Sequence, residues 1–184
     1  MKPPEVWRAI FKSYDVRGTV PDQLDAEAAR AIGLGLANYL GAGPVAVGRD
    51  MRLSSPELAA ALTQGLNDGG VEVWDLGLCS TDMVTFVTGR YGIAGGVMVT
   101  ASHNPPHWNG FKCCERGGFP LARVVLHDLL QVVQVVQENS GDFAHGAVDV
   151  PRHRDVDHHQ GPPLPLAHRQ RCFVAAQNRV RTGS

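Results

Sequence analysis

The chain turns from apolar to polar residues within one stretch, Val99-Thr100-Ala101-Ser102-His103-Asn104-Pro105-Pro106. The apolar run before it begins at Ile93 and has the length of a buried strand, and the abrupt change in composition marks where that strand ends. We therefore expect Ser102 on a loop just beyond the C-terminal end of a strand. Open α/β sheets place ligand-binding and catalytic groups at that edge.

Ser102 has neighbours that suit it for chemistry. A serine hydroxyl is a weak nucleophile unless a base activates it, or unless the group it attacks is so reactive that the hydroxyl need only be positioned. His103 and Lys112 are the nearby candidates for assisting it. The alternative interpretation is that Ser-His-Asn-Pro is only a turn, because Asn-Pro dipeptides and polar residues are common in turns.

Four motifs in this chain resemble those of the α-D-phosphohexomutases. They are Thr100-Ala101-Ser102-His103-Asn104-Pro105, similar to the phosphoserine loop, Phe11-Lys12-Ser13-Tyr14-Asp15-Val16-Arg17-Gly18, similar to the amino-terminal signature, Gly48-Arg49-Asp50-Met51-Arg52, and Asn109-Gly110-Phe111-Lys112. The resemblance covers roughly residues 9 to 120 and continues more weakly to about 150. The form of the amino-terminal motif is closer to phosphomannomutase/phosphoglucomutase than to phosphoglucosamine mutase.

The resemblance implies a phosphotransfer reaction on hexose phosphates. In the family, a phosphoserine donates its phosphate to a hexose phosphate, and the resulting hexose bisphosphate returns its other phosphate to the serine. Ser102 would carry the phosphate and would bind Mg²⁺ through a phosphate oxygen. Lys112 would be a general acid/base, Arg17 an electrostatic partner of the phosphate, and Tyr14 and His103 would line the site.

Each of these roles has a simpler alternative. Lys112 can be a solvated surface lysine, and His103 can stabilise the loop with a hydrogen bond. Arg49 and Arg52 could each contact a phosphate or form a structural ion pair, and we favour the structural role for both.

Strands and helices alternate along residues 11–99, which predicts an α/β fold with a mostly parallel, mixed sheet covered by helices on both faces. The predicted strands are 11–16, 44–48, 71–76 and 93–99, and the predicted helices are 25–39, a helix that starts at Ser54 and ends before Gly69, and 81–91. Ser54 and Glu57 have the spacing of a capping box. The resemblance implies the same three-layer α/β/α architecture, as in domain I of the phosphohexomutases, whose full chains have three such domains and a smaller fourth.

We predict one domain, residues 1–150, followed by a disordered tail at 151–184. Apolar residues at helical spacing predict a further helix after Pro120, whereas the periodicity disappears from Pro151 onward. The family's metal-binding loop and its later domains have no counterpart in the tail, which resembles GC-rich DNA translated in a shifted frame. We therefore interpret the chain as a truncated mutase, inactive alone, with the missing domains as its partners.

Composition excludes several other classes. The fraction of hydrophobic residues is 43%, that of charged residues is 19%, and no apolar segment reaches the length of a signal peptide core or a membrane span, so we expect a cytoplasmic protein with no membrane partner. Residues 1–150 carry 11 basic and 16 acidic side chains, and residues 151–184 carry 6 arginines and 2 aspartates. The basic tail has no lysine and a single aromatic residue, so we expect no nucleic-acid partner.

The four cysteines lack the spacing of a disulfide framework or a zinc site, so we expect reduced thiols. A zinc site formed by His107 with Cys113 and Cys114 is a disfavoured alternative. Two function classes stay open: a phosphohexomutase, and a non-catalytic remnant or interaction module that keeps the fold. A serine hydrolase is disfavoured because no Gly-x-Ser-x-Gly motif surrounds Ser102.

Overall fold

The computed structural model describes residues 2–121, 127, 129–131 and 133–134. The elements in chain order are α1 (Pro4–Ile10), β1 (Val16–Thr19), α2 (Ala26–Leu40), β2 (Val45–Arg49), α3 (Ser55–Asp68), β3 (Val73–Leu78), α4 (Thr81–Tyr91), β4 (Gly95–Val99), β5 (Trp108–Glu115), a 3₁₀ turn (Arg116–Gly118) and β6 (Phe119–Pro120). No helix in this described part is long and apolar enough to cross a membrane.

The strands form one mixed sheet in the order β1-β5-β4-β2-β3, with β6 paired to β5. β2 is parallel to β3 and β4, while β5 is antiparallel to both β4 and β1. It follows that β1 runs in the same direction as β2, β3 and β4. The C-terminal ends of these four strands, at Thr19, Arg49, Leu78 and Val99, therefore lie along one edge of the sheet.

Helices α2 and α3 cover one face of the sheet and contain most of the buried apolar side chains. Ile32, Leu36, Leu58 and Leu62 are almost completely buried there. The two helices approach very closely at Gly65, where a Cβ atom would lie 2.0 Å from the carbonyl oxygen of residue 30. Only glycine permits backbones to pack at that separation.

Helix α4 covers the opposite face, so the predicted three-layer α/β/α architecture is confirmed. Its buried residue Val84 packs with Met98 of β4 and Cys114 of β5, and Val87 packs with Ala46 of β2. The side chain of Ser80 caps the helix by accepting a hydrogen bond from the amide of residue 83 at 3.3 Å. The predicted helix at 81–91 has the observed bounds.

The strand predicted at 11–16 is wrong. β1 begins where that prediction ended, because the chain folds back before Val16, whose partner on β5 is Phe111, and Phe11 forms a bridge with Val16 itself. Residues 12–15 instead form a turn in which the amide of Lys12 donates to the carbonyl of Asp15 at 2.8 Å, and Phe11 packs against Trp7 of α1. Arg17, expected at the end of a strand, consequently lies inside β1.

The capping box predicted at Ser54 is also wrong, although the helix starts where expected. Ser54 has helical backbone angles and its side chain makes no capping hydrogen bond. The Ser54 hydroxyl instead accepts a hydrogen bond from the side-chain amide of Asn109, 55 residues further along the chain, at 2.8 Å. A tertiary contact has replaced the local one.

The remaining helix and strand predictions are confirmed within one or two residues at each end, apart from α1, β5 and β6, which were not predicted. The helix predicted after Pro120 is confirmed for the described residues 127, 129–131 and 133–134, with Leu129 and Val133 buried. The end of the domain near residue 150 and the tail at 151–184 lie outside the described residues, so both stay predictions.

Candidate active site

Ser102 lies on the loop of residues 100–107 that joins β4 to β5, at the sheet edge where β1, β2, β3 and β4 end. The side chain of Ser102 is exposed, as the chemistry expected of it requires. Its backbone has a φ of 56°, which makes it the only described residue other than glycine in the left-handed region. Such a conformation is uncommon for a residue with a Cβ and persists where the surroundings hold it.

The amide and the hydroxyl of Ser102 each have a partner close in sequence. The hydroxyl of Thr100 accepts a hydrogen bond from the amide of Ser102 at 2.9 Å. The hydroxyl of Ser102 lies 3.0 Å from Nδ1 of His103, and both side chains are exposed. When Nδ1 carries no proton, this geometry lets the serine donate its hydrogen to the histidine, which is the arrangement a general base needs.

Arg52 holds the loop from outside. Its Nη1 donates to the carbonyls of Pro105 at 2.8 Å and Trp108 at 3.0 Å. Its Nη2 donates to the carbonyls of Ser102 at 3.0 Å and Asn104 at 2.7 Å. The structural role that we favoured for Arg52 therefore agrees with its contacts, since its donors are directed at backbone oxygens.

Asp50 anchors Arg52 and the start of α3 together. One carboxylate oxygen lies 3.3 Å from Nε of Arg52, and the other accepts from the hydroxyl of Ser55 at 2.6 Å and from the amide of Arg52 at 3.0 Å. Burial raises the pKa of Asp50, but hydrogen bonds from Ser55, Thr100 and Arg52 outweigh burial, so its pKa lies below the usual 3.8. The carboxylate is thus kept charged beside the guanidinium.

Asn109 completes this network from the other side of the loop. Its side chain is fully buried and donates to the hydroxyls of Ser54 at 2.8 Å and Ser55 at 3.0 Å, while its oxygen accepts from the amide of Gly110 at 2.8 Å. Both ends of the loop are thereby connected to the N-terminus of α3. Neither Asn109 nor Thr100 was predicted as a site residue.

Arg17 is oriented by a buried carboxylate. Nε of Arg17 lies 2.7 Å from Oδ2 of Asp15, whose side chain is almost inaccessible to solvent. Within the described residues, no acceptor is hydrogen-bonded to the two terminal nitrogens of Arg17, which leaves them available to an anion. Tyr14 lies on the turn before β1 and is 63% exposed.

Lys112 lies on the same sheet face as Arg17. Arg17 pairs with Gly110 across β1 and β5, and Lys112 follows two residues later on β5, where it pairs with Met98. Paired residues, and alternate residues along a strand, project from one face. Lys112 is half-buried and makes no hydrogen bond or ion pair with any described residue. Two cations with unused donors therefore share this face.

Arg49, in contrast, does not form the ion pair that we favoured, at least with the residues that the structure describes. It ends β2 opposite Val99 of β4 and is half-buried. The predicted site residues thus divide into Ser102 and His103 in direct contact, Arg17 and Lys112 on one face, and Tyr14 on an exposed turn.

The zinc alternative does not agree with the structure. Cys113 packs in the core under α2 and α3, whereas Cys114 packs against α4, because consecutive residues of a strand project to opposite faces. The described cysteines are free thiols, as expected. Across the described ranges, no three His, Cys, Asp or Glu side chains are grouped so that they could hold a metal ion.

That result also applies to Mg²⁺. Asp50 contacts Thr100 and Arg52, which both bind the loop, and its oxygens are engaged by these two residues and Ser55. Mg²⁺ prefers several free oxygen ligands in octahedral geometry. The described residues therefore do not form a magnesium site by themselves, and Mg²⁺ stays an expectation from the resemblance.

Known proteins are similar to this chain over most of its described part. The family described as phosphoglucomutase/phosphomannomutase, alpha/beta/alpha domain I, matches residues 8–139. A protein of Xanthomonas campestris pv. campestris named "Phosphohexose mutases" is 52% identical over 112 residues, which are 61% of this chain and 25% of that protein. A phosphomannomutase from Klebsiella pneumoniae is 41% identical over 61% of this chain and 71% of its own length.

Solved structures show the same relationship. A phosphoglucomutase/phosphomannomutase family protein from Burkholderia thailandensis superposes with a TM-score of 0.66 and 35% identity, covering 74% of this chain and 31% of that one. The chain spans about a quarter of the length of the first two curated relatives it matches. Because the family match extends over most of the chain, the protein belongs to the phosphoglucomutase/phosphomannomutase family and contains its α/β/α domain I.

Proposed function

We propose that this chain carries the phosphoryl group of a phosphohexomutase reaction on Ser102. The observation that supports the proposal most directly is the exposed hydroxyl of Ser102, 3.0 Å from a ring nitrogen of His103, on a loop whose backbone is held by hydrogen bonds at both Ser102 and Asn104. Membership in the family favours a hexose phosphate as substrate. A hexose bisphosphate is the species that loads the serine.

The proposed step is the transfer of a phosphoryl group from the hexose bisphosphate to Ser102. A bond forms between Oγ of Ser102 and a phosphorus atom of the hexose bisphosphate, while the bond between that phosphorus and a hexose oxygen breaks. The proton on Oγ passes to Nδ1 of His103, and the hexose oxygen takes up a proton. In the full cycle, the phosphoserine gives its phosphoryl group to the free hydroxyl of a hexose monophosphate, and the bisphosphate formed returns its other phosphoryl group to Ser102 by the same step, which releases the isomeric monophosphate.

The proposed transition state spreads negative charge over the phosphoryl oxygens, which cations stabilise. Arg17 and Lys112 are proposed for this role because they share a face and have donors that no described residue uses. Lys112 is also the proposed acid that protonates the leaving hexose oxygen. A dianionic phosphoserine adds a charge of about −2, so both cations are needed near it.

Labelling with hexose 1,6-bisphosphate tests the proposal. The chain is incubated with the compound labelled in its phosphates, and the modified peptide is identified by mass spectrometry. We expect one phosphoryl group on Ser102, none in Ser102→Ala, and unchanged labelling in Ser80→Ala, an exposed serine that caps α4. Equal labelling of Ser102→Ala and the wild type, or none in either, would leave the non-catalytic module as the better interpretation.

We further propose that the 184-residue chain by itself does not interconvert hexose 1- and 6-phosphates at the rate of a complete mutase. The described residues hold no set of metal ligands, and the chain spans a quarter of the first listed relatives. Loss of the groups that orient a substrate can cost many powers of ten in effective molarity. A coupled mutase assay with Mg²⁺ and catalytic bisphosphate tests this, and robust turnover that disappears in Ser102→Ala would contradict it.

A further inference from the structure

We propose that Arg52 is a positioning residue for Ser102: one guanidinium binds four carbonyls of the loop and of the start of β5, and so keeps the serine hydroxyl where phosphoryl transfer needs it. This inference rests on the proposed function, because phosphoryl transfer to Ser102 is the reaction that Arg52 would assist. The four carbonyls belong to Ser102, Asn104, Pro105 and Trp108, at 2.7 to 3.0 Å.

The terminal nitrogens of Arg52 are fully engaged. A guanidinium has five N–H bonds in a planar fork, four of them on its terminal nitrogens. Four carbonyl oxygens accept from Nη1 and Nη2, and Nε forms an ion pair with Asp50 at 3.3 Å. No terminal N–H is then left for a phosphate, in contrast to Arg17, whose terminal nitrogens have no acceptor among the described residues. Geometry therefore assigns the two arginines different tasks, Arg52 to the loop and Arg17 to the ligand.

The bond to the carbonyl of Ser102 matters most because that residue is in the left-handed region. Its amide is bound by Thr100 and its carbonyl by Arg52, so the peptide groups on both sides of the reactive side chain are held. The direction of Oγ depends on those backbone angles. Without the guanidinium, Ser102 can relax to a more common conformation, and its hydroxyl then points elsewhere.

Arg52 itself is anchored by residues outside the loop that it binds. It precedes α3, and Asp50 joins it to Ser55, which is fully buried at the start of that helix. Asn109 binds Ser55 and so connects β5 to the same point. The loop is thus fixed to a rigid helix end. A lysine has a single ammonium in place of the planar fork and cannot reach four carbonyls at once.

Two readouts on the full chain test the proposal with Arg52→Lys. The first is hydrogen exchange of the backbone amides between residues 101 and 108, of which the two prolines have none, and we expect it to become at least about tenfold faster while exchange in β2 and β3 is unchanged. The second is the labelling of Ser102 by hexose 1,6-bisphosphate at increasing concentrations. A positioning role predicts a fall of about 10- to 100-fold in the maximal rate with little change in the half-saturating concentration.

Arg30→Lys is the matched control, because Arg30 forms an exposed ion pair with Asp68 at 2.6 Å, away from the loop. We expect both of its readouts to equal those of the wild type. Arg52→Ala gives an independent check, since millimolar guanidinium should restore part of its labelling and equal sodium chloride should not.

The outcomes separate this proposal from the proposed function. A change in the half-saturating concentration alone would overturn positioning and assign Arg52 to phosphate binding. Wild-type exchange and labelling in Arg52→Lys would overturn it as well. If the wild type is never labelled, the proposed function fails, and the exchange of residues 101–108 alone decides whether Arg52 holds the loop.

Discussion

The hydroxyl of Thr100 accepts a hydrogen bond from the amide of Ser102 at 2.9 Å, and the same hydroxyl is hydrogen-bonded to the carboxylate of Asp50. Thr100 is buried, so both bonds are shielded from water. One side chain thus connects the strained backbone of Ser102 to the carboxylate that anchors Arg52.

Thr100→Val should therefore weaken the loop with little change of shape. Valine fills the same volume but leaves the amide of Ser102 without a partner and removes one hydrogen bond to the carboxylate of Asp50, which typically costs about 1 to 3 kcal/mol of the free energy of unfolding. We also expect slower phosphoryl labelling of Ser102. Urea denaturation measures the first effect and a labelling time course the second.

Thr85→Val is the control for Thr100→Val. Thr85 is exposed on α4, and its hydroxyl bonds only to a helix carbonyl at 3.2 Å. Its replacement should change the free energy of unfolding by less than about 0.5 kcal/mol. Equal effects of the two substitutions would show that the bond from Thr100 to Ser102 contributes nothing specific.

Gly110→Ala should disrupt the pairing of β1 with β5. A Cβ atom at this position would lie 2.1 Å from the carbonyl oxygen of Val16, a backbone atom that cannot rotate away. We expect a loss of about 3 kcal/mol or more in the free energy of unfolding. Arg17 lies opposite Gly110, so any protein that still folds should be labelled more slowly at Ser102.

Gly70→Ala supplies the comparison for Gly110→Ala. Gly70 has a φ of 80° with open space around its Cα, so its replacement meets backbone strain without a steric clash. The expected loss is about 1 kcal/mol, with no effect on labelling. If denaturation shows that Gly110→Ala loses no more free energy of unfolding than Gly70→Ala, the close approach of β1 and β5 is contradicted.

The position of Ser102 was predictable because it depends on a local signal. The apolar run that ends at Val99 predicts a strand, and the polar residues after it predict a loop at the sheet edge. The same holds for α2, where Asp25 caps the helix by accepting from the amide of Ala28 at 2.9 Å, and the glycine at 41 ends it. Local caps and periodicity are enough for such elements.

The contacts that hold the loop were not predictable from local pattern. Arg52 binds carbonyls 50 to 56 residues further along the chain, and every residue has a carbonyl, so no side-chain spacing indicates the partner. The prediction for residues 11–16 failed for a related reason. Alternation is compatible with a strand there, but residues 12–15 fold back so that Phe11 bridges to Val16, and only the residues from Val16 onward pair with β5.

Buried thiols should react slowly in the folded chain. Burial raises the pKa of Cys113 and of Cys114, and the thiolate is the reactive form, so alkylation by iodoacetamide at pH 8 should be slow at both. Burial also raises the pKa of the half-buried Cys79, but its greater access should make it react at least about tenfold faster. Peptide mapping over time measures the three rates.

Unfolding in denaturant is the control for the thiol rates. In 6 M guanidinium, roughly the concentration that unfolds most domains, the three rates should converge because burial is lost. Alkylation of Cys113 or Cys114 in the folded chain as fast as Cys79 would show that the strand β5 is not packed between the two helical layers.

Asp50→Asn and Asp25→Asn should both alter the acid denaturation of the protein. For each carboxyl, burial raises the pKa but hydrogen bonds outweigh it, from Ser55, Thr100 and Arg52 at Asp50 and from Lys2 and Ala28 at Asp25. A folded pKa below the usual 3.8 means that the charged form contributes stability above the unfolded pKa. That contribution is lost as the pH falls through the folded pKa, so stability should decline below about pH 4.

The two aspartates separate stability from function in this test. Each asparagine variant should lose less stability than the wild type between about pH 4 and pH 2, because it has one fewer carboxylate to protonate. Only Asp50→Asn should also slow the labelling of Ser102 at neutral pH, since Asp50 anchors Arg52, whereas Asp25 caps α2 and pairs with Lys2 at 2.6 Å. Urea denaturation at each pH measures how steeply the free energy of unfolding falls as the pH is lowered. If that fall in Asp50→Asn equals the fall in the wild type, or if Asp50→Asn is labelled as fast as Asp25→Asn, the carboxylate of Asp50 does not hold the loop through Arg52.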